Sequence, residues 1–412
     1  MNKNVIVGQS GGPTAVINSS LVGVFKTARD RGAEKVYGML HGIQGLLDRQ
    51  YVDLSQHIKS DLDIDLLKRT PSSFLGSCRY KLPTIENGRE IYEQIFELLD
   101  ELEIGAFFYI GGNDSMDTIK KLSDYANLID SDIKFMGVPK TIDNDLAATD
   151  HTPGYGSAAK YIASITKEVI LDSLVYDMQS VTILEIMGRN AGWLTAAAAL
   201  AKGEDCAGVD MIFLPEHPFD MDLFITRIKE LVERKKSCVV AVSEGVKLAD
   251  GRYVAELGSL SDATDAFGHK RLEGVAKYLA DKLNAELGIK TRAIELNTLQ
   301  RCASHMTSRV DITEAFQVGG AAVKAAFEGE SGNVIVLKRI SEDPYICVTD
   351  SQDVHKIANI EKKVPLEWIT PDGTYVTDEL IHYIRPLIQA ELSPMMVDGL
   401  PRHLRLETYS AL

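Results

Sequence analysis

No apolar stretch of this sequence approaches the ~20 residues that a membrane helix needs. Its N-terminus, MNKNVIVGQSGG, reaches glycine after a short apolar run and lacks the long apolar core of a secretory leader, so the chain is expected to be cytoplasmic. Paired cysteines are missing too. The five cysteines (Cys78, Cys206, Cys238, Cys302 and Cys347) are scattered, odd in number and never spaced CxxC, which supports neither a disulfide framework nor a zinc ribbon. They read as reduced thiols. Positive charge is scarce, with 44 Lys and Arg against 59 Asp and Glu and a net charge of -15. That balance argues against a broad footprint on nucleic acid or an anionic membrane, so any anionic ligand must meet a local basic pocket. No fixed-period repeat, low-complexity tract, G-x-G-x-x-G or G-K-[ST] sequence occurs, so solenoids and the usual nucleotide fingerprints are not indicated.

What remains is an ordinary globular composition over 412 residues, 45% hydrophobic and 25% charged, long enough for two or three packing units. Short apolar runs alternate with amphipathic stretches. The runs are NVIVG (4–8), AFFYIGG (from Ala106), KFMGVPK (from Lys134), SVTILEIMG (from Ser180), MIFLP (from Met211), SCVVAVSEG (from Ser237), KTRAIELN (from Lys290) and NVIVLKR (from Asn333). Their continuous apolar character predicts strands covered on both faces. Helical periodicity marks Ile91–Glu103, Ser157–Leu174, Asp222–Lys235 and Lys270–Leu287. The alternation predicts an α/β protein with a mostly parallel, doubly wound sheet system. The pattern breaks after Arg339 at SEDPYICVTDSQ, so residues 340–412 read as a C-terminal extension.

Ligands of such sheets bind beyond the carboxyl ends of the strands, which makes the residues after each run the informative ones. After the first run comes Gly8-Gln9-Ser10-Gly11-Gly12-Pro13-Thr14, leading into a helix pattern. Small residues there let backbone N–H groups approach an anion at a helix N-terminus, although a tight turn without ligand reads equally well. Gly111-Gly112-Asn113-Asp114-Ser115 repeats the arrangement and adds a carboxylate; its plain alternative is a helix cap. Pro139-Lys140-Thr141-Ile142-Asp143-Asn144-Asp145 sets a lysine beside two carboxylates two residues apart. Such a pair can divide into a general base and a metal-organising group around a phosphoryl acceptor. Met187-Gly188-Arg189 ends a further run with an always-charged guanidinium. Glu244 in Ser243-Glu244-Gly245 could bind sugar hydroxyls, and Arg292 and Arg301 could meet a second phosphate.

In the order SGG, GGNDS, PKTIDND, MGR, SEG and QR, these residues resemble the phosphofructokinase family from Gly8 to about Arg339. The resemblance implies two doubly wound lobes with the active site in the cleft between them. A donor lobe of residues 1–155 would be completed by about 301–339, with residues 156–300 forming the fructose 6-phosphate lobe. It implies that Gly11, Gly12 and Arg79 meet the donor phosphates and that Thr141 holds the acceptor. It implies further that Asp143 takes the proton of the sugar 1-hydroxyl, with Asp145 near Mg2+. Met187, Gly188, Arg189 and Glu244 would hold fructose 6-phosphate, Arg189 also steadying the transferred phosphoryl group. Arg301 would meet the 6-phosphate, and Arg292 would be lent across a subunit interface of a homodimer or homotetramer.

Two positions point to the donor. ATP-using members carry glycine where this chain has Asp114 and Lys140, and pyrophosphate-using members resemble it at both, so the implied donor is pyrophosphate. A carboxylate at Asp114 repels a nucleotide α-phosphate, while Lys140 neutralises bare pyrophosphate. The alternatives are an ATP-dependent phosphofructokinase, a non-catalytic sugar-phosphate sensor and, on fold alone, a dinucleotide-dependent oxidoreductase. The sequence departs from the family at Asn113, where a metal-associated aspartate is usual and part of the magnesium duty would pass to Asp114 or Asp145. It departs also at Ser180 and Thr298 toward the 6-phosphate, so a longer sugar such as sedoheptulose 7-phosphate is a further acceptor to consider.

Overall fold

The computed structural model describes residues 4–258 and 274–406. In chain order its main strands are β1 (Asn4–Gln9), β2 (Val36–Met39), β3 (Tyr51–Asp53), β4 (Ile104–Gly111), β5 (Lys134–Pro139), β6 (Ser180–Ile186), β7 (Met211–Phe213), β8 (Ser237–Ser243), β9 (Lys290–Glu295), β10 (Asn333–Glu342) and β11 (Tyr345–Asp353). The chain divides into two compact units. One comprises Met1–Ser157, Arg301–Glu361 and Ala390–Leu412, the other Ala158–Gln300 and Lys362–Gln389.

The first unit holds a seven-stranded sheet in the order β11-β10-β5-β4-β1-β2-β3. Its inner pairings are parallel, and β3 and β11 close the two edges antiparallel. Every residue of β1 and β4 is buried, the reason both read as unbroken apolar runs. The second unit carries an all-parallel sheet, β7-β8-β6-β9. All eight runs expected as strands are strands.

Three further strands lie in the first sheet. β2 is a four-residue segment and β3 a three-residue one, too short for periodicity to register. β11 contains the TDSQD stretch that reads as a break, yet it forms a full ladder with β10. An edge strand with no fully buried residue needs no apolar pattern. The boundary expected after Arg339 therefore falls inside β10. The residues beyond form no single extension: Lys362–Gln389 pack with the second unit and the rest with the first.

Helices cover both sheets and show why they start where they do. Met221–Lys235 is capped by the Asp220 side chain, which accepts from Leu223 N, and it buries Phe224, Ile228 and Val232 at four-residue spacing. The buried Glu185 carboxylate of β6 accepts from Gly274 N at 3.2 Å and Ala276 N at 2.9 Å, capping Val275–Leu287 from outside the helix. Lys270–Glu273, expected as the start of that helix, lie outside the described residues. The helix predicted from Ile91 begins earlier, at Ile85, with a kink at Gly88.

In the first unit the helices Ile17–Asp30 and Arg309–Phe327 meet backbone to backbone. Ser19 Oγ donates to Ile312 O at 2.8 Å. A Cβ on Gly23 would stand 2.1 Å from Phe316 O, and one on Gly319 would stand 2.1 Å from Ser20 O. Gly23→Ala should therefore lower the unfolding free energy by about 1–3 kcal/mol, measured by chemical denaturation. In an open helix the same change would add up to about 1 kcal/mol, so a net gain would show that these helices do not meet this closely.

Candidate active site

In the first unit the chemistry gathers where β1, β4 and β5 end. Gln9, the last residue of β1, and Asn18 of the following helix are both fully buried and interlock their side-chain amides. Gln9 Nε2 donates to Asn18 Oδ1 at 2.9 Å, and Gln9 Oε1 accepts from Leu75 N at 2.9 Å. Asn18 Nδ2 donates to Thr70 O and Ser72 O, both at 2.8 Å, while Asn18 Oδ1 also accepts from Phe74 N at 3.0 Å. Every polar atom of the pair is engaged. Together they moor the loop that carries Ser77, Cys78 and Arg79 against the two-glycine turn. Gly11 N donates to Cys78 O at 3.1 Å, and Ser77 Oγ donates to Gly11 O at 2.6 Å.

Gly11 takes a φ of +75°, a left-handed conformation that glycine adopts without strain. Lys140, 3% exposed at the end of β5, sends its ammonium to Gly12 O at 2.6 Å. Burial lowers this ammonium to about 8; Asp143 and Asp145 pull it back up, and Arg301 and Arg79 push it down. A Cβ on Gly12 would lie 3.1 Å from Arg301 Nη1. Three cations thus converge on a glycine turn, which is a site for a compact, multiply charged anion. Arg301, expected at the acceptor's 6-phosphate, sits in the first unit beside Gly12 and Arg79, and burial together with Arg79 lowers its pKa.

The Lys140–Asp145 turn is held from behind. Thr141 N donates to Pro153 O at 3.3 Å, Thr152 Oγ1 donates to Thr141 O at 2.8 Å, and Thr152 N donates to Asn144 Oδ1 at 3.1 Å. Asn144 has a φ of +54°, and its engaged side chain fixes that left-handed geometry. Asp143 N donates to Thr141 Oγ1 at 3.1 Å, so the candidate base and its neighbouring hydroxyl keep one orientation. Asp145 has its carboxyl pushed up, first by burial and then by Asp143.

At the end of β4, Gly112 is the N-cap of Asn113–Leu128 and no side chain caps it. The cap reading of GGNDS therefore fails: Ser115 Oγ donates instead to Ser10 Oγ at 3.1 Å, tying the two glycine turns together. Asn113 Oδ1 is buried with no hydrogen-bond partner, a costly arrangement that a ligand would relieve. Asp114 sits in the first helical turn, where the dipole favours it, and its carboxylate lies 3.5 Å from Lys81 Nζ. Lys81 carries no sequence signal of its own. Asn113, Asp114 and Asp145 offer only oxygen donors, one of them an orphaned buried acceptor, and such a set fits magnesium held jointly with donor phosphates.

The acceptor candidates of the second unit cluster at the ends of β6 and β8. Met187 N donates to Gln300 Oε1 and Gly188 N to Glu244 Oε1, each at 3.3 Å. Ser243 Oγ donates to Gly188 O at 2.5 Å. Gly188 has a φ of +140°, and a Cβ on Gly245 would lie 1.9 Å from Arg189 O, so both glycines are required by the close passage of the Met187–Asn190 turn. Arg189 Nε is buried without a hydrogen-bond partner, a guanidinium edge left for a ligand. Arg292 lies apart from this cluster. It pairs in register with Thr182, early in edge strand β9, and is half-exposed with Nη1 at 3.2 Å from Asp172 Oδ2. Gln300 and Ser243, which shape the turn, are buried polar residues to which the motifs containing them gave no role of their own.

An α/β protein with cation-lined glycine turns beside paired carboxylates is built to move a phosphoryl group. A phosphofructokinase family model matches residues 4–326. The pyrophosphate–fructose 6-phosphate 1-phosphotransferases of Halomonas elongata and Xanthomonas campestris pv. campestris are 41% and 43% identical to this chain, each match covering 98% of it and 96% of the relative. The crystal structure of a pyrophosphate-dependent phosphofructokinase from Nitrosospira multiformis matches with a TM-score of 0.89 at 38% identity, over 99% of this chain and 97% of that one. The chain belongs to the phosphofructokinase family. Among the described residues no helix is long and apolar enough to cross a membrane.

The buried lysine gives a pH test. An amine lowered to about 8 loses its charge as pH rises through that value, and with it part of its hold on a donor phosphate. The KM for pyrophosphate should therefore climb above about pH 8 in the wild type. The Lys140→Met variant, assayed in the same buffers so that the donor's own titration cancels, should lack that step. Superimposable pH profiles would exclude Lys140 from donor binding.

Proposed function

We propose that the protein transfers a phosphoryl group reversibly from pyrophosphate to the 1-hydroxyl of fructose 6-phosphate, giving fructose 1,6-bisphosphate and phosphate, in the cytoplasm and with magnesium. The observation that carries this reading is the Lys140 ammonium at Gly12 O, with Arg79 and Arg301 about the same turn. A lysine in that place fills the anion site with a cation suited to a small bare polyphosphate. The names of the relatives from Halomonas and Xanthomonas agree with it.

In this reading Gly11, Gly12, Arg79, Lys140 and Arg301 bind the donor. Asp143 takes the proton of the 1-hydroxyl as its oxygen attacks the transferred phosphorus, the bond to the leaving phosphate breaks, and the cations neutralise the charge left behind. Thr141 orients Asp143 and the acceptor. Magnesium, bound by Asn113, Asp114 and Asp145 with the donor oxygens, would supply further neutralising charge. Met187, Gly188, Arg189 and Glu244 hold the sugar phosphate. Arg292, half-exposed on an edge strand, is available to a second copy of the chain in a homodimer or homotetramer. Catalysis rests on position and electrostatics, with no covalent enzyme intermediate.

Asp143→Ser should lower kcat by about 10²–10⁴-fold with the KM for fructose 6-phosphate little changed. Steady-state kinetics check this, and near-normal turnover would remove Asp143 from the mechanism.

Donor choice is tested at Asp114. Two like unit charges ~4 Å apart repel by about 1 kcal/mol in water and about 4 kcal/mol at an effective dielectric of ~20. Asp114 is partly exposed and faces Lys81, so the lower end applies. Wild type should be active with pyrophosphate and nearly inert with ATP, and Asp114→Gly should raise ATP-driven turnover by about tenfold. An unchanged ratio of the two donors in the variant would show that Asp114 does not select between them.

A further inference from the structure

Away from the phosphoryl-transfer residues, the first unit gathers a cluster of unlike ligand types, with His151 and Glu314 buried and Cys347 partly exposed. His151, 1% exposed, places Nδ1 at 2.7 Å from Asp150 Oδ1 and Nε2 at 2.7 Å from Glu314 Oε2. Tyr345 OH donates to the other Glu314 oxygen at 2.7 Å, and Arg339 Nη2 donates to Asp150 Oδ1 at 3.0 Å. Cys347, on β11 opposite Arg339, completes the group: a ring nitrogen of His151, a Glu314 oxygen and Cys347 Sγ all lie within 4.8 Å of one another.

We propose that His151, Glu314 and Cys347 form a binding site for a zinc-class divalent cation, separate from the magnesium site. The donor set is the first reason. One imidazole, one carboxylate and one thiol suit a borderline metal such as zinc or cobalt and not magnesium, which takes oxygen. The second reason is the ring of supports. A metal-binding histidine characteristically gives its other N–H to a carboxylate, and a ligating carboxylate is itself hydrogen-bonded. Asp150, anchored by Arg339, does the first for His151, and Tyr345 does the second for Glu314.

Charge is the third. The groups facing the cluster are Asp150 on the His151 segment, Asp311 and Glu314 on the helix Arg309–Phe327, Arg339 on β10 and Tyr345 on β11. An incoming dication bonds to His151 Nε2, to Glu314 and to Cys347 Sγ. It displaces the proton shared between His151 and Glu314 and the thiol proton, both of which pass to solvent. Two positive charges leave as two arrive, so the buried balance is unchanged. Tetrahedral bonds of about 2.0–2.3 Å require ligand separations of about 3.3–3.8 Å. Loss of the shared proton lets His151 and Glu314 move apart by under about 1 Å, and Cys347 closes on them from the sheet edge.

The test uses the full-length protein stripped with a chelator and then saturated with Mg2+, so that the oxygen site is filled. Co2+ should bind at one per chain with a thiolate-to-cobalt charge-transfer band in the near ultraviolet. Cys347→Ser should abolish the band, and Asp150→Asn should weaken binding about 10–100-fold. Zn2+ should raise the Tm of the wild type. Anomalous diffraction from Zn2+-soaked wild-type crystals should place the metal between the three ligands, a readout that does not depend on any variant folding. No band in the wild type, a band retained in Cys347→Ser, or anomalous density elsewhere would each overturn the site.

Discussion

The first unit's site depends on one electrostatic balance: a lysine ammonium kept almost out of water beneath a turn of two glycines. Lys140 donates to Gly12 O at 2.6 Å, and the two aspartates of its own turn oppose the burial and the neighbouring arginines that would discharge it. Without Asp143 and Asp145 the ammonium would be neutral at lower pH. Without Lys140, Asp145 would be a buried carboxyl beside a like charge with one fewer cation to relieve it. Lys140 and the two carboxylates of its own turn are therefore coupled electrostatically.

That coupling explains how much supporting structure is spent on a few turns. Gln9 and Asn18 bury two amides to moor the loop bearing Arg79, and Thr152 supplies both a hydroxyl and an amide to the Thr141–Asp145 turn. Ser115 ties the second glycine turn to the first. Each is a fully engaged buried polar group, which fixes position more sharply than apolar packing does. The polar atoms left without partners are correspondingly informative. Asn113 Oδ1 and Arg189 Nε are two of ten buried side-chain atoms without a hydrogen-bond partner among the described residues, and these two follow β4 and β6 closely, where ligands of such sheets bind.

What could be read from the sequence follows from which elements are covered on both faces. The strands buried along their length announced themselves as apolar runs, and the residues after them are the residues found at the strand ends. β11 was not legible because an edge strand can be polar over half its length, and β2 and β3 because they are too short to show a period. Within the site, glycines and charges at strand ends were legible. The roles of Lys81, Gln300, Gln9 and Asn18 were not, even where a motif contains the residue, since they arise from contacts between residues far apart in the chain. Arg301 adds a placement that motif order does not carry: the three-dimensional path of the chain sets that arginine beside Gly12.

The same reasoning applies to the buried cluster around His151. Its ligands lie at positions 151, 314 and 347, and no spacing rule joins them. Cysteine scarcity argued against metal sites of the CxxC kind, which are local in sequence. It has no force against a site assembled from a loop, a helix and an edge strand. Thr152, the next residue, braces Thr141 and Asn144, so the cluster and the catalytic turn are joined through one peptide unit. His151, held by Asp150 and Glu314, thus anchors one side of the peptide unit whose other side, Thr152, positions the turn that carries Asp143.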